Sequence, residues 1–297
     1  MKRYLISKML KSWKKRDQAI LAGKVLPDGV EEIRDVAYLD DGHSGHLMDV
    51  YYPAEAKGEL PFIIDIHGGG FLYGDKELNR LYGHHLARRG FAVFNVNYRL
   101  ALNDTNLPGQ LADLAAAVAF ISANAERFRI APEKGFITGE SAGGILAVMT
   151  ALIAQSARLQ EMFATGEPGL DFKAAAVTFG MMDIDDKHIG YWGLRSMCLE
   201  KGYKKQPYYQ NLIFANIPEM ATLAPVFLAT SADDVLSPSM KNFERTLKRW
   251  GVESEMQYYE RRKDRKLVHM FNVFYPEYEE SVEMMDRMTE FFLRRIK

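Results

Sequence analysis

The chain has 297 residues, 47% of them hydrophobic and 26% charged, with a net charge of -1 at pH 7. That length suits one large α/β domain with an elaboration, the charge balance gives no general attraction to nucleic acid, and no run approaches the roughly 18 apolar residues of a membrane span. The single cysteine, Cys198, cannot close an internal disulfide and no apolar signal-peptide core opens the chain, so a cytoplasmic protein is the expectation.

At the N-terminus Leu5, Met9 and Trp13 form an apolar stripe with Ile6 and Leu10 beside it, while Lys2, Arg3, Lys8, Lys11, Lys14, Lys15 and Arg16 fill the other positions. We read residues 1–30 as cap helices packed on the protein, in preference to a basic helix lying on an anionic membrane. Strand-like runs follow at Ile33–Leu39, Leu47–Tyr52, Pro61–His67, Phe91–Val96, Gly135–Thr138, Ala174–Phe179, Pro225–Thr230 and Glu255–Tyr259. The first two are close enough for an antiparallel hairpin. The later ones alternate with helical patterns at Glu77–Arg89, Gln110–Arg127, Ser141–Gln155, Pro238–Trp250 and Glu277–Arg295, which predicts parallel βαβ units and a sheet covered on both faces. The alternation fails at about 183–218, where Tyr191, Trp192, Tyr203, Tyr208, Tyr209 and Phe214 suggest an inserted cap over the strand ends. The rest, 31–297, reads as one catalytic domain.

The most informative stretch is Gly139-Glu140-Ser141-Ala142-Gly143, which follows an apolar run and leads straight into a helical pattern. Strand, Gly-x-Ser-x-Gly and helix are the context of a nucleophile elbow, in which glycines admit a tight turn and the serine stands at a helix N-terminus. Serine needs a base, and the base an orienting carboxylate, in the chain order Ser, Asp or Glu, His. Of seven histidines only His188 and His269 follow Ser141, and His269, between the last strand and the last helix, is the base. For the carboxylate, Asp233 and Asp234 compete after the seventh strand, one to face the histidine and its neighbour to cap the helix near Pro238; Asp183 is an outside candidate. His67-Gly68-Gly69-Gly70 after the third strand suits an oxyanion hole, completed by the N–H of Ala142. The pairs His43/His46 and His84/His85 lack further ligands at a recognisable spacing, so no metal site is expected.

His67-Gly68-Gly69-Gly70-Phe71 together with Gly139 to Gly144 resembles the hormone-sensitive-lipase-like group of α/β-hydrolases, the family IV carboxylesterases. Asn97-Tyr98-Arg99-Leu100-Ala101, Asp234-Val235-Leu236 and His269-Met270-Phe271 extend the likeness from about residue 46 to the end. The resemblance implies an α/β-hydrolase fold, an eight-stranded, mostly parallel sheet covered by helices and carrying a helical cap. It implies Ser141 as nucleophile, Asp234 as orienting acid, His269 as base, and Gly69, Gly70 and Ala142 as oxyanion donors. His67 is assigned to holding the glycine loop and Arg99 to an ion pair. Relatives more often carry Asp at the position of Glu140, Pro at that of Leu102 and Gly at that of Met270.

The function so implied is hydrolysis of carboxylic esters through an acyl-enzyme on Ser141, with no cofactor. Phe71, Leu72 and Tyr73 are read as a small apolar pocket favouring short acyl chains. A serine peptidase or amidase, or a non-catalytic small-ligand receptor, is the alternative on the same fold. The expected partner is a small-molecule ester, with neither nucleic acid nor membrane, and a homodimer is left open.

Overall fold

Residues 2–101, 104–182, 184, 195 and 197–297 are described by a computed structural model, the side chains of residues 2–5 excepted. Its strands are β1 (Val30–Ala37), β2 (Leu47–Pro53), β3 (Leu60–Ile66), β4 (Ala92–Val96), β5 (Ile130–Glu140), β6 (Ala174–Thr178), β7 (Val226–Ser231) and β8 (Ser254–Tyr259). They form one sheet in the order β1-β2-β4-β3-β5-β6-β7-β8. β2 pairs antiparallel with both β1 and β4, and every later pair is parallel. All eight expected strands are present.

The long apolar runs follow from burial of both faces, because alternate residues of one strand enter different cores. In β3, Phe62, Ile64 and Ile66 join one cluster and Ile63 the other; in β7, Val226 and Leu228 part from Phe227 and Ala229 in the same way. The first face is covered by α3 (Leu107–Ala123), α4 (Ala142–Ala154) and α6 (Ser237–Trp250). The second is covered by α2 (Arg80–Ala87), α7 (Phe271–Phe274) and α8 (Glu279–Leu293). Phe292 of α8 stacks on Phe136 of β5 at 4.5 Å, pinning the last helix to the middle of the sheet.

The differences from the sequence reading are local. β1 begins at Val30, ahead of the expected Ile33, because Val30 to Glu32 pair with Pro53 to Tyr51 and an edge strand tolerates the two glutamates. α3 begins at Leu107 because the Asn106 side chain accepts the Gly109 N–H at 3.0 Å and Pro108 occupies the first turn. A short helix, α5 (Ala157–Met162), was not expected and is capped by Ser156. The stretch 203–222 is a series of 3-10 turns that bury Leu212, Phe214 and Met220 in the first core. Asp183, His188, Tyr191 and Trp192 lie outside the described residues.

The N-terminal helix α1 (Lys2–Leu21) half-buries Met9, Leu10 and Trp13 and leaves Lys8, Lys11, Lys14 and Lys15 exposed. Among the described residues no helix is long and apolar enough to cross a membrane.

Candidate active site

Four parallel strands, β3, β5, β7 and β8, end on the same side of the sheet, and the loops that follow them meet above it. After β5 the chain turns so tightly into α4 that Ser141 takes φ 54° and ψ -121°, a conformation costly for a residue with a side chain. The turn closes only around glycine: a Cβ on Gly143 would lie 2.0 Å from the Ile66 carbonyl oxygen, and one on Gly139 2.3 Å from that of Gly143. The Ser141 carbonyl accepts from the N–H groups of Gly144 at 3.1 Å and Met181 at 2.8 Å, which holds the strained residue in place. Its Oγ stands above the strand ends, at the N-terminus of α4.

His269 comes from the loop after β8 and places Nε2 3.0 Å from Ser141 Oγ. Its Nδ1 lies 2.8 Å from Asp234 Oδ1. An ionised carboxylate can only accept, so Nδ1 carries the hydrogen and Nε2 is free to take one from the serine. The Asp234 side chain is fully buried and also accepts from Thr230 Oγ1 at 2.9 Å and the Leu236 N–H at 3.1 Å. Three donors on one buried carboxylate offset the cost of taking its charge out of water.

Asp233 plays a different part from the helix cap expected of it. α6 has no side-chain cap, and Asp233 Oδ2 instead accepts the Leu267 N–H at 3.2 Å, two residues before the histidine. The bond fastens Asp233 to the loop that carries His269, leaving the first turn of α6 without a side-chain cap.

The glycine loop after β3 lies against the elbow. Gly69, at φ 111°, accepts from the Leu72 and Tyr73 N–H groups through its carbonyl, and a Cβ there would fall 1.9 Å from the Tyr73 oxygen. Among the described residues no acceptor engages the N–H of Gly69, Gly70 or Ala142. His67 Nδ1 donates to the Gly68 carbonyl at 2.8 Å, and its ring stacks on Tyr98, whose hydroxyl donates to the His67 carbonyl at 2.7 Å. Arg99 pairs with Asp113 through two guanidinium nitrogens.

A cavity of about 380 Å³ opens over Gly69, Gly70, Ser141 and His269. Its remaining wall is mostly apolar, with Met181, Leu236, Met270 and Phe274 from the body and Met9, Trp13, Arg16 and Asp17 from α1. Of the three residues expected to form the pocket only Tyr73 borders this cavity. Phe71 adopts φ 68°, which turns its side chain into the first core, and Leu72 faces an adjoining hollow under α1. No described residue of 197–222 lines the cavity.

Two groups the sequence reading passed over complete the surroundings. Asn79 and Asp65 lie beneath the glycine loop with Glu140, all buried. Burial pushes the Asp65 carboxyl up to about 7, against the effect of its bond from Asn79. Burial raises the Glu140 carboxyl too, so the two acids resist ionising together, and burial draws His67 down. The one signal for Asp65 is a carboxylate in the otherwise apolar Pro61 to Ile66 run.

Known proteins carry the same arrangement of strands. Esterase B from Lactobacillus rhamnosis, in a structure with a C4-C4 SN3 tributyrin phosphonate, superposes with a TM-score of 0.91 at 27% identity, over 99% of this chain and 96% of that one. A probable isoprenylcysteine alpha-carbonyl methylesterase of Oryza sativa subsp. japonica is 26% identical over 238 residues, 77% of this chain and 56% of its own length. A probable carboxylic ester hydrolase, LipM, of Mycobacterium tuberculosis is 28% identical over 181 residues, 60% of this chain and 41% of its own. The chain thus spans about half the length of these curated relatives. The BD-FAE family model matches residues 48–234, from β2 through the glycine loop and the elbow to Asp234, and by that match the chain belongs to the BD-FAE family.

Proposed function

We propose that the protein hydrolyses carboxylic esters, with Ser141 as nucleophile, His269 as base and Asp234 as the acid that orients it. The observation that carries this reading is the unbroken line Asp234–His269–Ser141, at 2.8 and 3.0 Å, opening into a cavity shared with Gly69 and Gly70. Ser141 Oγ attacks the ester carbonyl carbon as His269 Nε2 takes its proton. The carbonyl oxygen, now negative, is received by the N–H groups of Gly69, Gly70 and Ala142. Collapse breaks the carbon–alkoxy bond, His269 hands its proton to the departing alkoxide, and an acyl-Ser141 remains. Water, deprotonated by His269, repeats the attack and releases the acid.

The modest apolar cavity supports short acyl chains, as does the butyrate-derived phosphonate held by the Lactobacillus esterase. The test is a set of p-nitrophenyl esters from acetate to decanoate run beside p-nitroanilides, with fluorophosphonate labelling of the same protein. Turnover highest at two to six carbons, with anilides far slower, is the expected result. Equal turnover of anilides would replace the reading by an amidase, and absence of both turnover and label would end it.

The cap reading rests on α1, whose Met9, Trp13, Arg16 and Asp17 close one side of the cavity. Removing residues 1–21 is expected to raise KM about tenfold and flatten the acyl-length preference while kcat for acetate changes less, because binding and not chemistry is lost. Salt-sensitive co-sedimentation of the full chain with anionic vesicles, lost on the same truncation, would instead make α1 a membrane-binding helix.

A further inference from the structure

Beneath the glycine loop, and bordering no part of the cavity, three buried polar side chains meet. Asn79 Nδ2 donates to Asp65 Oδ2 at 2.8 Å and to Glu140 Oε2 at 3.1 Å, and Glu140 Oε1 accepts the Gly68 N–H at 2.6 Å. Asp65, Asn79 and Glu140 are each no more than 1% exposed. Among the described residues neither carboxyl has a cation beside it. The other titratable groups around them are Tyr82 of α2, Tyr98 after β4 and His67 after β3. Burial keeps both phenols and the imidazole neutral, so none supplies compensating charge.

Two carboxyls bridged by one amide in such surroundings cannot both be ionised near neutrality, so one retains a proton. The hydrogen bonds decide which. Each oxygen of Glu140 already receives a donor, which favours its anion. Asp65 Oδ1 and Asn79 Oδ1, by contrast, are two buried acceptors with no donor between them. A hydrogen on Asp65 Oδ1, donated to Asn79 Oδ1, satisfies both and makes an acid–amide pair with the Asn79-to-Asp65 bond already present.

We propose that Glu140 is a positioning residue for the oxyanion loop, held anionic while Asp65 keeps the proton, and that its charge sets how Gly69 and Gly70 face Ser141. This rests on the esterase reading above. Gly68 transmits the effect: a Cβ on it would lie 2.8 Å from the Glu140 carbonyl oxygen and 2.9 Å from Ser141 Cβ, so its backbone lies directly against both residues. An ionised acceptor binds an N–H roughly twice as strongly as a neutral one. As pH falls Glu140 takes up a proton, the grip on Gly68 weakens, and kcat drops while KM, set in a cavity this group does not touch, stays nearly constant.

The experiment measures kcat and KM for p-nitrophenyl butyrate against pH in wild type, Glu140→Gln and Asp65→Asn, with infrared spectra of the same proteins at neutral pH. Glu140→Gln is expected to lower kcat about 10- to 100-fold with KM within about twofold, and to remove one ionisation from the acid limb. Asp65→Asn replaces an already neutral acid by a neutral amide, so the acid limb should stay within about 0.3 pH unit of wild type; a limb that moves down by about one unit would make Asp65 the anion and overturn the assignment. Wild type should show a protonated-carboxyl band that Asp65→Asn lacks. An unchanged pH profile in Glu140→Gln, or no such band in wild type, overturns the proposal. Should Glu140→Gln fail to fold, the Asp65→Asn limb and the infrared band still decide it. A wild type that neither turns over ester nor takes fluorophosphonate defeats the esterase reading instead, and the band reports on the shared proton regardless.

Discussion

Replacing Ser141 by alanine is expected to lower kcat for p-nitrophenyl butyrate by about 10⁴- to 10⁶-fold, leaving only what the oxyanion donors and binding supply. The substitution keeps Cβ, so the turn into α4, its bonds to Gly144 and Met181 and the packing against β3 are unaltered. Circular dichroism and the melting transition should therefore match wild type, and KM should change little. Fluorophosphonate labelling, confined to Ser141 in wild type, should vanish. A variant that keeps both activity and label on another serine would remove Ser141 from the mechanism altogether.

The second large effect separates two neighbouring aspartates. Asp234→Asn is expected to cost about 10⁴-fold in kcat, because an amide can present its NH₂ to His269 Nδ1, favour the wrong tautomer, and leave the imidazolium without its counter-charge. Asp233→Asn keeps an oxygen for the Leu267 N–H and gives up only a 3.4 Å approach to Arg261, whose side chain is 77% exposed. Solvent screens such a pair, so activity should stay within a few-fold of wild type. Asp233→Ala, which removes the bond to Leu267, should lie between the two by loosening the loop that carries His269. The reverse order of Asp234→Asn and Asp233→Asn would transfer the orienting role to Asp233.

Much of the architecture was legible because it rests on patterns that burial enforces locally. Strands covered on both faces must be apolar throughout, and each of the eight runs became a strand. The family likeness read from the glycine loop and the elbow agrees with the BD-FAE match, since both turns leave no space for a Cβ and therefore write themselves as glycine. Ser141, Asp234 and His269 are brought within hydrogen-bond distance as that likeness implied.

What was not legible depends on direction or on distance along the chain. Phe71 and Leu72 were read as pocket residues from their place after the glycines. The sign of φ at Phe71 decides which way its side chain turns, and a non-glycine residue carries no mark of a positive φ. Nothing near Asp233 or Asp234 separates them either, because the loop that distinguishes them arrives from more than thirty residues further on. Asp65, Asn79 and Glu140 belong to three elements, and the bonds joining them span up to 61 positions. Local patterns cannot disclose such a meeting.

Two stretches of the cavity's wall differ in how freely they can change. One consists of the turns around Gly69, Gly139 and Gly143, where even a methyl group would collide with backbone. The other is a single helix outside the sheet that presents Met9, Trp13, Arg16 and Asp17. Side chains on α1 can be exchanged without moving a strand, a register or a hydrogen bond of the Ser141 turn. Diversification of such a pocket is therefore easy on one side and nearly closed on the other, and grafting a different helix over residues 2–21 is the most direct route to altering what it admits.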